Sequence, residues 1–310
     1  MKKSVLLFAS AVMVTFTACN SSNGESSKEA AQSKVTIAHT LDTVEVPVNP
    51  QRVVALDYSA LENLDLIGAK IVGIPKSGLP KYLSKYRDDA AIADVGNLVE
   101  VNMEKINELS PDLIILGGRL QDSYTDMSVI APTIIPVWDT KDQLGALEKN
   151  LSNLGEIFDK QAEFDSALAD IKAKASAVKE KASRSEAKAL VVLHNKGRFS
   201  AYGSGSRFGM IHDILGVKEA SKGLDTHLHG TTASNEFILQ TNPDILFIVD
   251  RSAAVGDTPL DKREVENKLI QQTNAYKNGK IIYLDPEAWY LSGGGIASIN
   301  VMIDEVAKAL

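Results

Sequence analysis

One pattern occurs twice in this chain, and each copy closes on an arginine. The first copy runs Glu104, Ile106, Pro111, Asp112, the apolar residues 113–116 and Arg119. The second runs Glu236, Ile238, Pro243, Asp244, the apolar residues 245–249 and Arg251. Glutamate to proline is seven residues in both, and proline to arginine is eight. An apolar run after Pro-Asp predicts a buried strand that begins where a helix has just been stopped. Each arginine then falls past the carboxyl end of its strand, the end at which open α/β sheets bind ligands. A repeat of this kind predicts two similar α/β lobes with both arginines turned into the cleft between them.

Size and charge are consistent with that layout. A chain of 310 residues exceeds one ordinary core and suits two units of about 100–150 residues. The formal charge is −7, and loss of Lys2 and Lys3 with a leader makes it −9. So acidic a surface argues against nucleic acid as a partner, and clustered arginines in it point to a local task, the holding of an anion.

The N-terminus reads as an export signal. Lys2 and Lys3 precede a short apolar stretch, residues 5–16, too short for a stable membrane anchor. Thr17 and Ala18 then lead to Cys19, the only cysteine in the chain. This resembles the lipobox of bacterial lipoproteins, with Phe16 where leucine is usual. The resemblance implies a signal peptide over 1–18 and lipidation of Cys19, so that the membrane is reached through the lipid alone. Residues 19–33 are a polar, flexible tether.

The remainder divides at a helical stretch. Residues 35–37 and 44–48 predict a hairpin, 52–56 a strand, 60–67 a helix and 70–73 a strand. With the first repeat copy and a strand at 133–137, these make an N-terminal lobe over 34–141. Residues 142–186 contain no proline and are rich in Ala, Lys, Glu and Leu. Apolar faces at Leu151, Leu154, Ile157 and Phe158, then at Phe164, Leu168, Ile171 and Ala175, predict one long helix or two in series. The stripe is too brief for a coiled coil and suits a backbone helix packed along both lobes. The C-terminal lobe, 187–310, is expected to repeat the first: a strand at 189–193, a short helix at 211–215, the second repeat copy, a strand at 281–284 and a terminal helix at 296–310.

Polar and aromatic residues gather in the loops of this second lobe. His227, His229 and Gly230 precede the second repeat copy, and Trp289 and Tyr290 follow the last strand. Together with Ser206-Arg207-Phe208-Gly209, Val249-Asp250-Arg251 and residues 283–287, these segments resemble the iron–siderophore-binding lipoproteins of bacterial ABC importers, the subgroup that takes catecholate ligands. The resemblance covers nearly all of the mature chain. It implies two α/β lobes joined by a long rigid helix, as in class III periplasmic binding proteins, with the ligand between the lobes.

That resemblance implies a role for each matched residue. His229 and Tyr290 would bind ferric iron, while Arg119, Arg207 and Arg251 would hold the catecholate oxygens. Spacing alone does not choose between His227 and His229; the glycine after His229 matches the family motif. Ferric iron is hard and accepts phenolate and imidazole. A bis-catecholate supplies four oxygens, and one tyrosine with one histidine would complete six. Guanidinium groups suit the anionic complex because they stay charged and donate several hydrogen bonds. The partners expected are a ferric siderophore and the permease subunits, met by a monomer that is no enzyme and carries no intrinsic cofactor. Glu62 and Asp213, on corresponding helices, resemble the acids through which such proteins dock on a permease.

Other readings compete. The same fold could take haem, cobalamin or another ferric chelate. A secreted serine hydrolase would use Ser204 or Ser206 with a histidine, but the segment lacks the spacing of a nucleophile elbow. Arg207 could simply pair with Asp213. Arg198 lies near a strand end without a motif match, and His39, His194 and His212 read as structural.

Overall fold

The computed structural model describes residues 33–310. The proposed leader, Cys19 and nearly all of the tether lie outside the described residues. A hairpin opens the fold: β1 (Lys34–Ala38) pairs antiparallel with β2 (Thr43–Pro47). The first lobe is a parallel sheet of β3 (Val53–Leu56), β4 (Ile71–Ile74), β5 (Ala93–Asp94), β6 (Leu113–Leu116) and β7 (Thr133–Ile134), in the order β5-β4-β3-β6-β7. Every residue of β3 and β6 is buried, as expected of central strands covered on both faces.

The second lobe does not simply copy the first. Its sheet follows the path β11-β9-β8-β12-β13, where β8 is Lys188–Asn195, β9 Arg198–Tyr202, β11 Thr231–Ala233, β12 Ile245–Asp250 and β13 Ile281–Tyr283; a short β10 (Lys218–Glu219) also pairs with β8. β8, β12 and β13 are parallel, whereas β9 and β11 add an antiparallel edge. The repeat's aspartate has the same task in both lobes. Asp112 accepts from the backbone N–H groups of Gln51 (2.6 Å) and Arg52 (2.8 Å) beside β3. Asp244 accepts from that of Lys188 (2.9 Å) at the start of β8. Each carboxylate thus sets the register of its repeat strand against the strand beside it.

Between the sheets the chain forms two helices, Gln143–Phe158 and Gln161–Ser183. They are separated at Asp159, which adopts the left-handed conformation at φ 53° and so ends the first helix. The expected connector is therefore two helices in series. Leu151, Leu154, Ile157 and Phe158 of the first, and Phe164, Leu168, Ile171 and Ala175 of the second, are buried in one apolar core with strands of both sheets. That core also holds Ile299, Met302, Ile303 and Val306 of the terminal helix Ile296–Ala309. Among the described residues no helix is long and apolar enough to cross a membrane.

Candidate functional site

Both repeat arginines stand where their strands end. Arg119 lies in the 3-10 turn Gly118–Ser123 just beyond β6, and Arg251 directly follows β12. Tyr290 is carried on a π-helical turn, Glu287–Ser292, after β13; such turns recur at functional sites. Its neighbour Trp289 points the other way, 3% exposed, with the indole N–H donating to Glu305 at 2.7 Å. Trp289 anchors the turn in the core and leaves Tyr290 half-buried at the cleft.

Three guanidinium groups surround this one tyrosine. The Cζ atoms of Arg207, Arg251 and Arg119 lie 4.6, 5.6 and 5.7 Å from the centre of its ring, within the range of attraction between a cation and an aromatic face. Arg251 Nε donates to the Tyr290 hydroxyl at 2.8 Å. Arg119 donates to the carbonyls of Tyr290 (2.7 Å) and Leu291 (3.2 Å), and Arg207 to that of Tyr290 at 3.3 Å. Arg207 does not pair with Asp213, whose carboxylate accepts instead from Gly205 N–H at 2.7 Å. Burial pulls the Arg207 guanidinium below its ordinary value, opposed by the nearby Tyr290 and Tyr202.

A cleft of about 550 Å3 opens beside this cluster, lined by Tyr290, His229, Arg198, Arg207 and Arg251 among others, with no carboxylate in its wall. Asp57 lies within electrostatic reach of Arg119, but no carboxylate in the cleft wall offsets Arg198, Arg207 and Arg251, so the wall is poised for an anion. His229 faces the cleft; His227 does not line it and lies 3.7 Å from Asp225. Of the two candidate histidines, His229 is the one that lines the cleft. Gly230 explains why a glycine follows it: at φ 63°, a Cβ there would sit 2.7 Å from the Ala201 carbonyl and 2.8 Å from the Tyr202 ring.

His194 and His212 are structural. His194 Nδ1 meets Asp250 at 3.4 Å while its Nε2 accepts from Gly197 N–H, and His212 Nδ1 bonds the Val217 carbonyl at 2.8 Å. His39 lies against Tyr124, Nε2 to hydroxyl 3.2 Å. Ser206 donates its hydroxyl to the Gly203 carbonyl at 2.6 Å and is fully buried, which does not suit a nucleophile. Among the described residues no group of three or more His, Cys, Asp or Glu converges to hold a bare metal ion.

The placement of Glu62 corrects an expectation. It is 4% exposed and cannot meet a permease surface. Its carboxylate accepts from Tyr82 Oη (2.9 Å), Ser292 Oγ (2.5 Å), Ser298 N (2.8 Å) and Ser298 Oγ (3.0 Å). It caps the terminal helix, whose own N-cap, Gly295, has no side chain to offer. Asp213 is exposed. Sequence reasoning did not find Ser200, Tyr202 and Thr232, which also line the cleft, because their strands become apparent only once β8 and β9 are paired.

Two α/β lobes on a shared helical backbone, with a basic cleft at the strand ends, define the class III periplasmic-binding-protein architecture. The chain belongs to the periplasmic binding protein family, whose profile matches residues 53–288. The petrobactin-binding protein YclQ of Bacillus subtilis is 42% identical over all of this chain and 99% of its own. Its crystal structure superposes with a TM-score of 0.87 over 90% of this chain and 99% of that one. The ferric-anguibactin-binding protein FatB of Vibrio anguillarum is 38% identical over 99% of each chain. The periplasmic catecholate-siderophore-binding protein VctP of Vibrio cholerae, 31% identical, has a TM-score of 0.83 over 88% of this chain and 99% of its own.

Proposed function

We propose that this protein binds a ferric catecholate siderophore, a tetradentate bis-catecholate or related complex, and delivers it to an ABC permease for iron uptake, tethered outside the cytoplasmic membrane by a lipid on Cys19. The observation that carries this reading is the ring of three arginines around Tyr290, opening on a cleft wall with no carboxylate. That wall suits a compact polyanion. With no protein cluster able to hold bare iron among the described residues, a ferric ion would bring most of its donors with it. Tyr290 and His229 supply one phenolate and one imidazole, the number that a tetradentate ligand leaves open. The siderophores for which YclQ, FatB and VctP are named support the same reading. Asp213, exposed on the second lobe, remains the docking acid we assign; its lobe-one counterpart is not Glu62.

The test is titration with a tetradentate ferric bis-catecholate, a hexadentate ferric tris-catecholate and haemin, followed by tryptophan fluorescence and visible charge-transfer bands. Tyr290→Phe and His229→Ala should each shift the visible band of the tetradentate complex and leave the hexadentate one nearly unchanged. Unaltered tetradentate spectra and affinity in both variants would refute direct ligation. Preference for haemin would refute the ligand class.

A further inference from the structure

The wall of the cleft away from Tyr290 is a sheet face. Arg198, Ser200 and Tyr202 of β9 all line the cleft, as residues i, i+2 and i+4 of one strand must share a face. The pairing extends that face sideways. Asn195 of β8 lies opposite Arg198, and Thr232 of β11 opposite Ser200, and both line the cleft as well. Of the intervening residues, Ala201 and Ala233 turn into an apolar core on the other side of the sheet, and Phe199 belongs to that core while also bordering the cleft.

Arg198 is the outermost charge of this face and has no assigned role. Lys196, two residues before it, is paired with Asp257 at 3.2 Å. Arg198 has no ion pair or side-chain hydrogen bond among the described residues, although the other two arginines that line the cleft, Arg207 and Arg251, both donate to Tyr290 atoms. Its backbone is held by the β8–β9 ladder, so the guanidinium projects from a strand rather than a mobile loop. Asn195 connects the two regions, since its amide oxygen accepts from Arg251 at 3.4 Å.

We infer that this polar sheet face is a second subsite, in which Arg198, flanked by Asn195, Ser200 and Thr232, binds a carboxylate on the spacer joining the iron-binding arms of the ligand. A planar guanidinium with free donors matches a carboxylate bidentately, and the neighbouring hydroxyl and amide groups supply further donors. The metal-binding end would lie at Tyr290 and the spacer would run along β9. Arg198 is thus a specificity-determining residue: it selects among ferric chelates by what links their catechols.

The assignment rests on the reading of the cleft as a ferric-chelate site, and the experiment separates the two. Two tetradentate ferric bis-catecholates are compared, identical except that one carries a carboxylate on its spacer and the other a hydrogen. The wild-type protein should prefer the carboxylate form by about tenfold, the worth of one charge-assisted pair. Arg198→Gln should erase that preference while leaving the visible band unchanged. Arg198→Lys should restore only part of it, because the fork geometry is lost. Equal binding of the two complexes by the wild type, or an Arg198→Gln variant that retains the preference, overturns the subsite alone. Failure of both complexes to bind overturns the cleft reading, and the subsite with it.

Discussion

Glu62→Ala should destabilise the protein by far more than an acid on a helix ordinarily would. The wild-type carboxylate accepts four hydrogen bonds, three of them from residues more than 200 positions away in the chain. Truncation leaves Ser292 able to turn to Ser59, already 3.1 Å away, and Ser298 Oγ to the Gly295 carbonyl at 3.1 Å. The Ser298 amide retains no acceptor, and Tyr82 Oη retains only Ser292. Each stranded buried donor costs about 1–3 kcal/mol, and loss of a helix cap falls in the same range. Relief of the buried carboxylate's desolvation offsets part of this. A net loss of about 3 kcal/mol is expected, which lowers Tm by roughly 6–12 °C in a protein of this size. Thermal unfolding followed by circular dichroism is the assay, with Gly295→Ala as a second probe, because a Cβ there would lie 2.2 Å from Glu62 Oε2. A Glu62→Ala variant within about 1 kcal/mol of wild type would refute the reasoning.

Three further outcomes are expected. Arg119→Gln, Arg207→Gln and Arg251→Gln should each weaken binding of an anionic ferric catecholate by about tenfold or more, measured by fluorescence titration; equal wild-type affinity for a neutral ferric hydroxamate would contradict this. Gly230→Ala should displace His229, because the new methyl group meets the Ala201 carbonyl and the Tyr202 ring at a positive φ. The loss should show in the tetradentate titration more than in Tm, since the loop around it is exposed. His212 is held below its ordinary value of 6.5 by burial. Its stabilising contribution is therefore complete above that value and is lost as pH falls through the folded-state pKa. Tm should decline on acidification from neutral pH, and His212→Gln should reduce the decline, leaving the part due to His39, which burial also lowers.

Local signals made part of this molecule legible before any coordinates. Pro-Asp followed by an apolar run marks β6 and β12 because the proline stops a helix and the aspartate holds the neighbouring strand, both within one short segment. The arginines at their ends follow from strand length alone. The β8–β9 hairpin was not legible. Its turn is Lys196-Gly197, at φ 51° and 78°, a pair in which lysine gives no turn signal, and the alternation of β9 gains meaning only beside β8. Glu62 was misread for a related reason. On its own helix it is an acid among polar neighbours, and its partners Ser292 and Ser298 lie 230 and 236 residues further on.

Those long-range bonds alter what the second lobe's tyrosine belongs to. By chain order the turn Glu287–Ser292 is part of lobe two, yet lobe one holds it along its length. Glu287 accepts from Lys81 N–H at 2.7 Å, Arg119 donates to the carbonyls of Tyr290 and Leu291, and Ser292 donates to Glu62. Arg207 and Arg251 hold the same tyrosine from lobe two. Any change in the separation of the lobes must therefore break bonds to the residue placed at the centre of the cleft. Conversely, a ligand that takes the arginines away from Tyr290 weakens the very bonds that tie the turn to each lobe. The turn that carries Tyr290 is thus held by contacts that neither lobe could make alone.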